Sequence, residues 1–278
     1  MSLIMRPGGY LLVCSALYFF LSPSIAQEDS GSQSAPPGTP KSAKTKTLEA
    51  GAKALQGNAP LKPFDVYLNG FHPMKDKPDM QMEAHHYCNQ VNEDFAQCVL
   101  FDGNTGNANL NGIEYIISEK LFATLPPEEK KFWHPHNGEI LSGQLVAPNI
   151  PAPAEKSLMK SKMNSYGKTW HVWNTGHEGT PSDKLPLGPA MLAWSFNREG
   201  EARPGLVEKR NERMKIDQAE KRRQRADLQK LARPQSGVDD LKGKFGRPTK
   251  DIPGVVDAQS AGPAGRGQNK ALEQILIG

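Results

Sequence analysis

The residues and spacings that announce metal or nucleophile chemistry are scarce in this chain. It has three cysteines in 278 residues, and one of them, Cys14, lies in an N-terminal apolar run. No HExxH and no double CxxC occurs, so no strong metal signature is present. Neither Ser142 nor Ser195 sits in a nucleophile elbow. Gly176, Gly179 and Gly188 do not form a phosphate-binding loop. The apolar run Tyr10–Leu21 is shorter than the ~20 residues a spanning helix needs, and no second run of that kind follows. Between residues 61 and 197 there is no arginine, and 11 lysines face 15 acidic residues.

The ends differ from the middle. Met1–Arg6, the apolar run and Ser22-Pro23-Ser24-Ile25-Ala26 have the layout of a secretory signal peptide, with cleavage expected after Ala26. Cys14 leaves with it, and a periplasmic or secreted chain is expected. Residues 27–60 are Ser, Pro, Gly, Ala and Lys with few large apolar side chains, a composition that reads as a disordered linker. Residues 198–278 hold 18 basic and 12 acidic residues. Within them, Leu206–Ala232 carries opposite charges at helical spacing and few apolar residues, which predicts a solvated helix ended by Pro234. Arg222-Arg223-Gln224-Arg225 is a candidate contact for an acidic partner, a phospholipid headgroup or nucleic acid. The interleaved acids favour a merely solvated face, and an exported chain is expected to have no specific nucleic-acid partner.

Residues 61–197 have the size of one domain. Strand-like runs cover Glu83–Val91, Phe95–Phe101, Gly112–Ser118, Glu139–Val146, Lys168–Trp173 and Met191–Phe196. Helix signals occur at Pro126–Lys130 and Ala154–Met163. Without a regular βαβ rhythm, the class is α+β, a single domain of mostly antiparallel strands with short helices. All seven histidines fall between His72 and His177, and all four tryptophans between Trp133 and Trp194. If Glu93 is the middle of a hairpin loop, paired positions sum to 186 and Cys88 faces Cys98, within disulfide range. Tyr87, Val91, Phe95, Val99 and Phe101 then share one face, expected to be the core face. His86, Cys88, Ala96, Cys98 and Leu100 share the other.

Glu83-Ala84-His85-His86-Tyr87-Cys88, Asn92-Glu93-Asp94-Phe95 and Gln97-Cys98 closely resemble the oil body-associated protein family. So do Gly112–Ser118, Leu125-Pro126, Glu128-Glu129-Lys130, Trp133-His134-Pro135-His136, Ser142-Gly143, Tyr166–Trp173 and Asp183–Gly188. The resemblance covers roughly residues 60–197 in family order, and no single short motif carries it. It implies association with lipid storage droplets in plant seeds, and a domain of unknown function in bacteria and fungi. It brings no catalytic residues. It also implies that the cysteine pair occurs in plant relatives in a reducing compartment, so that a disulfide is not essential to the fold. The leader and the basic C-terminal segment depart from the plant pattern.

Two readings of the chemistry follow. A metal or ligand pocket would draw on His85, His86, Glu93, Glu114, His134, His136, Glu139 and His171, with Cys88 as a further donor. Imidazole, carboxylate and thiolate together suit Zn or Fe. The spacing His134-x-His136-x-x-Glu139 is similar to a cupin metal motif, with the acid too close. Tyr87, Trp133, Trp170 and Trp173 are candidates for an aromatic pocket. The bland alternative is a hydrogen-bonded core of His and Trp with a structural disulfide. The functional expectation is an exported lipid-associated or ligand-binding accessory protein, in contact with a lipid or membrane surface. The alternative is a metal-dependent enzyme with Glu93 or Glu114 as general base.

Overall fold

Alternating side chains and a long first hairpin organise the molecule, whose computed structural model describes residues 35–176 and 180–260. The expected leader over residues 1–26 and the chain after residue 260 lie outside the described residues, as does His177. Helix α1 (Ala43–Leu55) precedes strands β1 (Val66–Met74), β2 (Lys77–Asn92), β3 (Phe95–Phe101) and β4 (Leu110–Ile117). Helices α2 (Glu119–Thr124) and α3 (Pro127–Lys130) lead to β5 (His134–Pro135) and α4 (Asn137–Leu141). Then come α5 (Ala152–Lys162), β6 (Tyr166–His171), β7 (Met191–Leu192) and β8 (Arg198–Glu199). The chain continues through α6 (Leu206–Met214), α7 (Gln218–Gln224), a 3₁₀ turn over Ala226–Leu231 and β9 (Lys250–Asp251). The main sheet runs β1-β2-β3-β4-β6-β5, antiparallel throughout, with β7 added to β6. This is the expected α+β class. Among the described residues no helix is long and apolar enough to cross a membrane.

The hairpin keeps the expected register: His85, His86, Tyr87 and Cys88 face Phe101, Leu100, Val99 and Cys98. A bulge between Gln90 and Asn92 and a shorter turn compensate each other, because Asn92 pairs with Phe95. Cys88 and Cys98 are disulfide-bonded. The faces, however, are the reverse of the expectation. Leu68, Cys88, Ala96, Cys98, Leu100 and Ile116 form the sheet's contribution to the main core. Ile140, Leu141, Leu145, Met159, Met163 and Leu228 pack onto them. On the opposite face Tyr67, Tyr87, Val99, Ile113 and Trp170 pair across five strands in one row. Ile113 is 39% exposed, so this aromatic row is a surface. The core side takes small and aliphatic residues because helices and loops must approach it closely.

Three segments differ from their sequence reading. Residues 27–60, read as a linker, contain α1, whose N-cap Ser42 accepts the Thr45 amide proton at 3.2 Å. None of its residues is buried. Its Ala, Lys and Leu content supports a helix that composition alone classed as unstructured. Glu139–Val146, read as a strand, is α4 followed by a turn at Gly143, whose φ of +75° interrupts an extended run. Met191–Phe196 forms only the two-residue β7, plus a bridge from Ala193 to Met74.

The C-terminal segment departs furthest. The expected helix over 206–232 is broken at Lys215, which adopts a left-handed φ of 53°, and Asp217 caps a new helix. It is not a solvated extension. Leu206, Val207, Leu228, Val238, Leu241, Phe245, Ile252 and Val255 are all buried. Arg198, Arg210 and Arg225 are buried with them. Arg225 donates to the carbonyls of Ile140 (3.0 Å) and Leu145 (2.8 Å) and to Glu155 (3.2 Å). Arg210 bonds Asn69 and the Gln144 carbonyl and lies over the Phe71 ring. Buried guanidinium groups with every bond directed at carbonyls or a carboxylate bind the segment to the sheet domain. The four-residue basic motif is therefore divided. Arg225 is a core clamp, Arg222 reaches the Ser142 carbonyl and Glu199, and Arg223 pairs locally with Glu220.

Candidate functional site: a buried imidazole cluster around Glu114

The core face of the sheet carries two polar rows. Leu68, His86, Leu100, Gly112 and His171 pair successively in one. Cys88, Cys98, Glu114 and Thr169 pair in the next. His72, further along β1, points to the same side, and β5 with the start of α4 brings His134 and His136 over the sheet. Glycine makes the room. A Cβ on Gly167 would lie 2.2 Å from Glu114 Oε1 and 2.7 Å from His134 Nε2, and one on Gly112 would lie 3.1 Å from His171 Nδ1. Gly167→Ala is therefore expected to destabilise the fold by about 1–3 kcal/mol, the cost of overpacking a rigid site. Urea melts of the variant and parent measure it, and equal midpoints would contradict the placement.

Glu114 is the centre. Its Oε2 lies 2.9 Å from His86 Nε2 and 4.0 Å from His72 Nε2. Its Oε1 lies 3.3 Å from His136 Nε2 and 3.6 Å from His134 Nε2. All five side chains are buried. The outer nitrogens of three imidazoles have fixed partners. His86 Nδ1 faces the Ala84 carbonyl at 3.1 Å. His136 Nδ1 faces Ser165 Oγ at 2.7 Å, and that hydroxyl donates its own proton to the Lys162 carbonyl. His72 Nδ1 faces His171 Nε2 at 3.1 Å, while His171 Nδ1 faces the Asn111 carbonyl at 3.3 Å. A carbonyl only accepts, so the Nδ1 of His171 and of His86 carries the proton. Neutral His171 then accepts at Nε2, His72 donates from Nδ1, and His136 donates to Ser165. With Nδ1 protonated, a neutral ring turns an Nε2 lone pair toward Glu114, whereas a ring that donates from Nε2 to Glu114 carries protons on both nitrogens. His134 makes no hydrogen bond at either nitrogen, an uncompensated polar side chain in the interior.

Burial pushes His134 down to about 3 and His171 down to about 4, and holds His72 well below the ordinary imidazole value. Burial alone would raise the Glu114 carboxyl, but hydrogen bonds from His136 and His86 hold it well below the carboxylate range. Glu139 is different: burial, reinforced by the Glu114 charge, pushes its carboxyl well above the usual range.

The candidate residues thus divide. The structure brings His86, Glu114, His134, His136 and His171 together, with buried Glu139 close by. Glu93 is in the exposed hairpin turn and takes no part. His85 is on the opposite face of β2, where Tyr67 Oη lies 2.8 Å from Nδ1 and Glu83 Oε1 lies 3.3 Å from Nε2. Cys88 is held in its disulfide and offers no thiolate. The four aromatic candidates line no common pocket. Tyr87 and Trp170 are on the outer row, Trp133 packs with Ile117, Phe122 and Tyr166, and Trp173 donates to the Asp183 carbonyl. His72 is the member that sequence reasoning missed. Its signal was its place at the start of the histidine range, without a recognised strand to orient it.

Glu83 gives a pH signature separate from the cluster. Burial would raise its carboxyl, but the His85 hydrogen bond and charge, with Arg213 and Arg210, hold it well below the carboxylate range. A depressed folded-state value gives stability that is complete above the unfolded value and lost as pH falls below it. Tm is therefore expected to fall between about pH 5 and about pH 3, and the Glu83→Gln profile to be flatter over that window. Parallel profiles would contradict this.

Comparison with known proteins now bears on the site. A family described as "Protein of unknown function (DUF1264)" matches residues 58–229. The chain is 39% identical to oil body-associated protein 2A of Arabidopsis thaliana over 184 residues, 66% of this chain and 73% of that protein. It is 34% identical to oil body-associated protein 1A of Zea mays over 232 residues, 84% of this chain and 94% of that protein. No solved structure matches.

Proposed function

This chain belongs to the oil body-associated protein family, and from that premise we propose that it is a ligand-binding accessory protein whose ligand is a divalent transition-metal ion. The observation that carries the proposal is the convergence of the Nε2 atoms of His72, His86, His134 and His136 on one buried carboxylate. Outer Nδ1 atoms tied to a carbonyl, a hydroxyl and a second imidazole are the supports that fix ring orientation and tautomer in metal sites. Four nitrogens and carboxylate oxygens, without thiolate, suit Zn, Fe or a neighbouring first-row metal. The chelator-treated full chain is melted with Zn(II), Fe(II), Mn(II), Co(II) or Ni(II). At about 100 times the dissociation constant a bound ion adds ~2.7 kcal/mol, or a Tm rise of roughly 5–10 °C for a chain of this size. A Tm unmoved by every ion would sink the reading.

A second reading has its own observation. The outer row Tyr67, Tyr87, Val99, Ile113 and Trp170 is flanked by exposed Leu110, Tyr115 and Phe132. Amphipathic aromatics on an open face suit the boundary of a lipid phase, and the relatives are named for association with oil bodies. We propose this face as the lipid contact. The full chain is then expected to float with triacylglycerol emulsion droplets, and Ile113→Glu/Tyr115→Glu to remain in the aqueous layer. A parent protein that does not float counts against it. Export remains part of the proposal. The Cys88–Cys98 bond supports it through the compartments in which disulfides persist, and a mature N-terminus at Gln27 would test it.

A further inference from the structure

The two oxygens of Glu114 do not share their imidazoles. Oε2 faces His86 and His72, and Oε1 faces His136 and His134. Each oxygen with its own pair forms a three-donor set. The donor atoms of His72, His86 and Glu114 all lie within 4.8 Å of one another, and so do those of Glu114, His134 and His136. Opposite elements supply the two sets: β1 and β2 carry one pair, and β5 with the first residue of the α4 region carries the other.

Building on the metal reading above, we propose that the centre is dinuclear, with Glu114 as the bridging carboxylate. One ion is held by His72, His86 and Oε2, the other by His134, His136 and Oε1. Bridging carboxylates hold paired ions about 3.5–4 Å apart, and each ion here keeps positions free for water or an oxygen ligand of a substrate. The arrangement also explains both orphaned features of the site. His134, whose nitrogens have no hydrogen bond, becomes a ligand of the second ion. Gly167 is required because a side chain there would occupy the space between Glu114 Oε1 and His134. His171 and Ser165 are positioning residues, since each fixes the ring of a ligand through its outer nitrogen. Glu139 is not counted as a ligand, because neither donor set includes it.

The test is the stoichiometry of Zn(II) bound by the chelator-treated full chain, read by titration against a chromophoric chelator and by elemental analysis after gel filtration. Two equivalents are expected per chain, falling to one in His72→Ala and to one in His134→Ala. Saturation at a single equivalent overturns the dinuclear proposal and leaves the metal reading standing, whereas no bound metal overturns both. Should the variants fail to fold, the unsubstituted chain loaded with Mn(II) decides. Spin-coupled electron paramagnetic resonance signals are expected from paired ions, and an isolated six-line Mn(II) signal alone would overturn the pairing.

Discussion

A chain ending at Asn197 is expected not to fold. The sequence divides there by composition, and the segment beyond it has the charge pattern of a solvated helix. In the structure, that segment supplies Leu206, Val207, Leu228, Val238, Leu241, Phe245, Ile252 and Val255 to the interior. Their burial amounts to roughly 12–24 kcal/mol at 1.5–3 kcal/mol per side chain. A domain's whole net stability is only ~5–15 kcal/mol. The truncation also strips Arg225 from the Ile140 and Leu145 carbonyls and leaves buried Glu155 without its guanidinium partner. Breaking such a pair from one side costs about 3–5 kcal/mol by itself. Circular dichroism of residues 61–197 is expected to show no cooperative thermal transition. A sharp transition near the parent Tm would mean that the C-terminal segment is dispensable packing.

The second large effect falls on Glu114. Glu114→Gln keeps the shape of the side chain and removes the only anion among the proposed ligands. Loss of a supporting residue alone weakens metal sites by about 10–100-fold, so removal of the charged bridging ligand is expected to weaken Zn(II) binding by more than ~100-fold. The variant is expected to retain its fold, because an amide can still meet the His86 and His136 nitrogens. Competition against a chelating dye reads the affinity. A change of less than ~10-fold would place the binding elsewhere.

The hairpin shows how far sequence carries. Parity around Glu93 gave the Cys88–Cys98 pairing and separated His86 from His85, which the structure places on opposite faces. Residue type then misled the assignment of inside and outside. Tyr87, Phe95 and Phe101 resemble core residues more than His86 and Ala96 do. Which face is covered depends on α4, α5 and the C-terminal segment, all remote in sequence. The same remoteness hid the role of Arg210 and Arg225, because charge spacing says nothing of the carbonyls they meet.

His72 escaped for a local reason. Asn-Gly and Pro are residue types that favour turns, yet Asn69, Gly70 and Pro73 all lie within β1. Gly70 is needed where Leu145 approaches, 3.2 Å from the position of a Cβ. Pro73 is tolerated in a strand at the sheet's margin, where its carbonyl accepts from the Trp194 amide. The remaining site histidines were legible as types, but their convergence on Glu114 was not. It depends on β4 lying between β3 and β6, a pairing that joins residues 112–117 to residues 166–171.

The most direct test of the central claim is an anomalous difference map from a crystal of the full chain grown with Zn(II) and measured above the zinc edge. The account predicts density beside each oxygen of Glu114, at about 2.0–2.2 Å from the facing imidazole nitrogens. Strong anomalous density only at surface carboxylates or histidines, with the Glu114 cluster unchanged and free of it, would contradict the account.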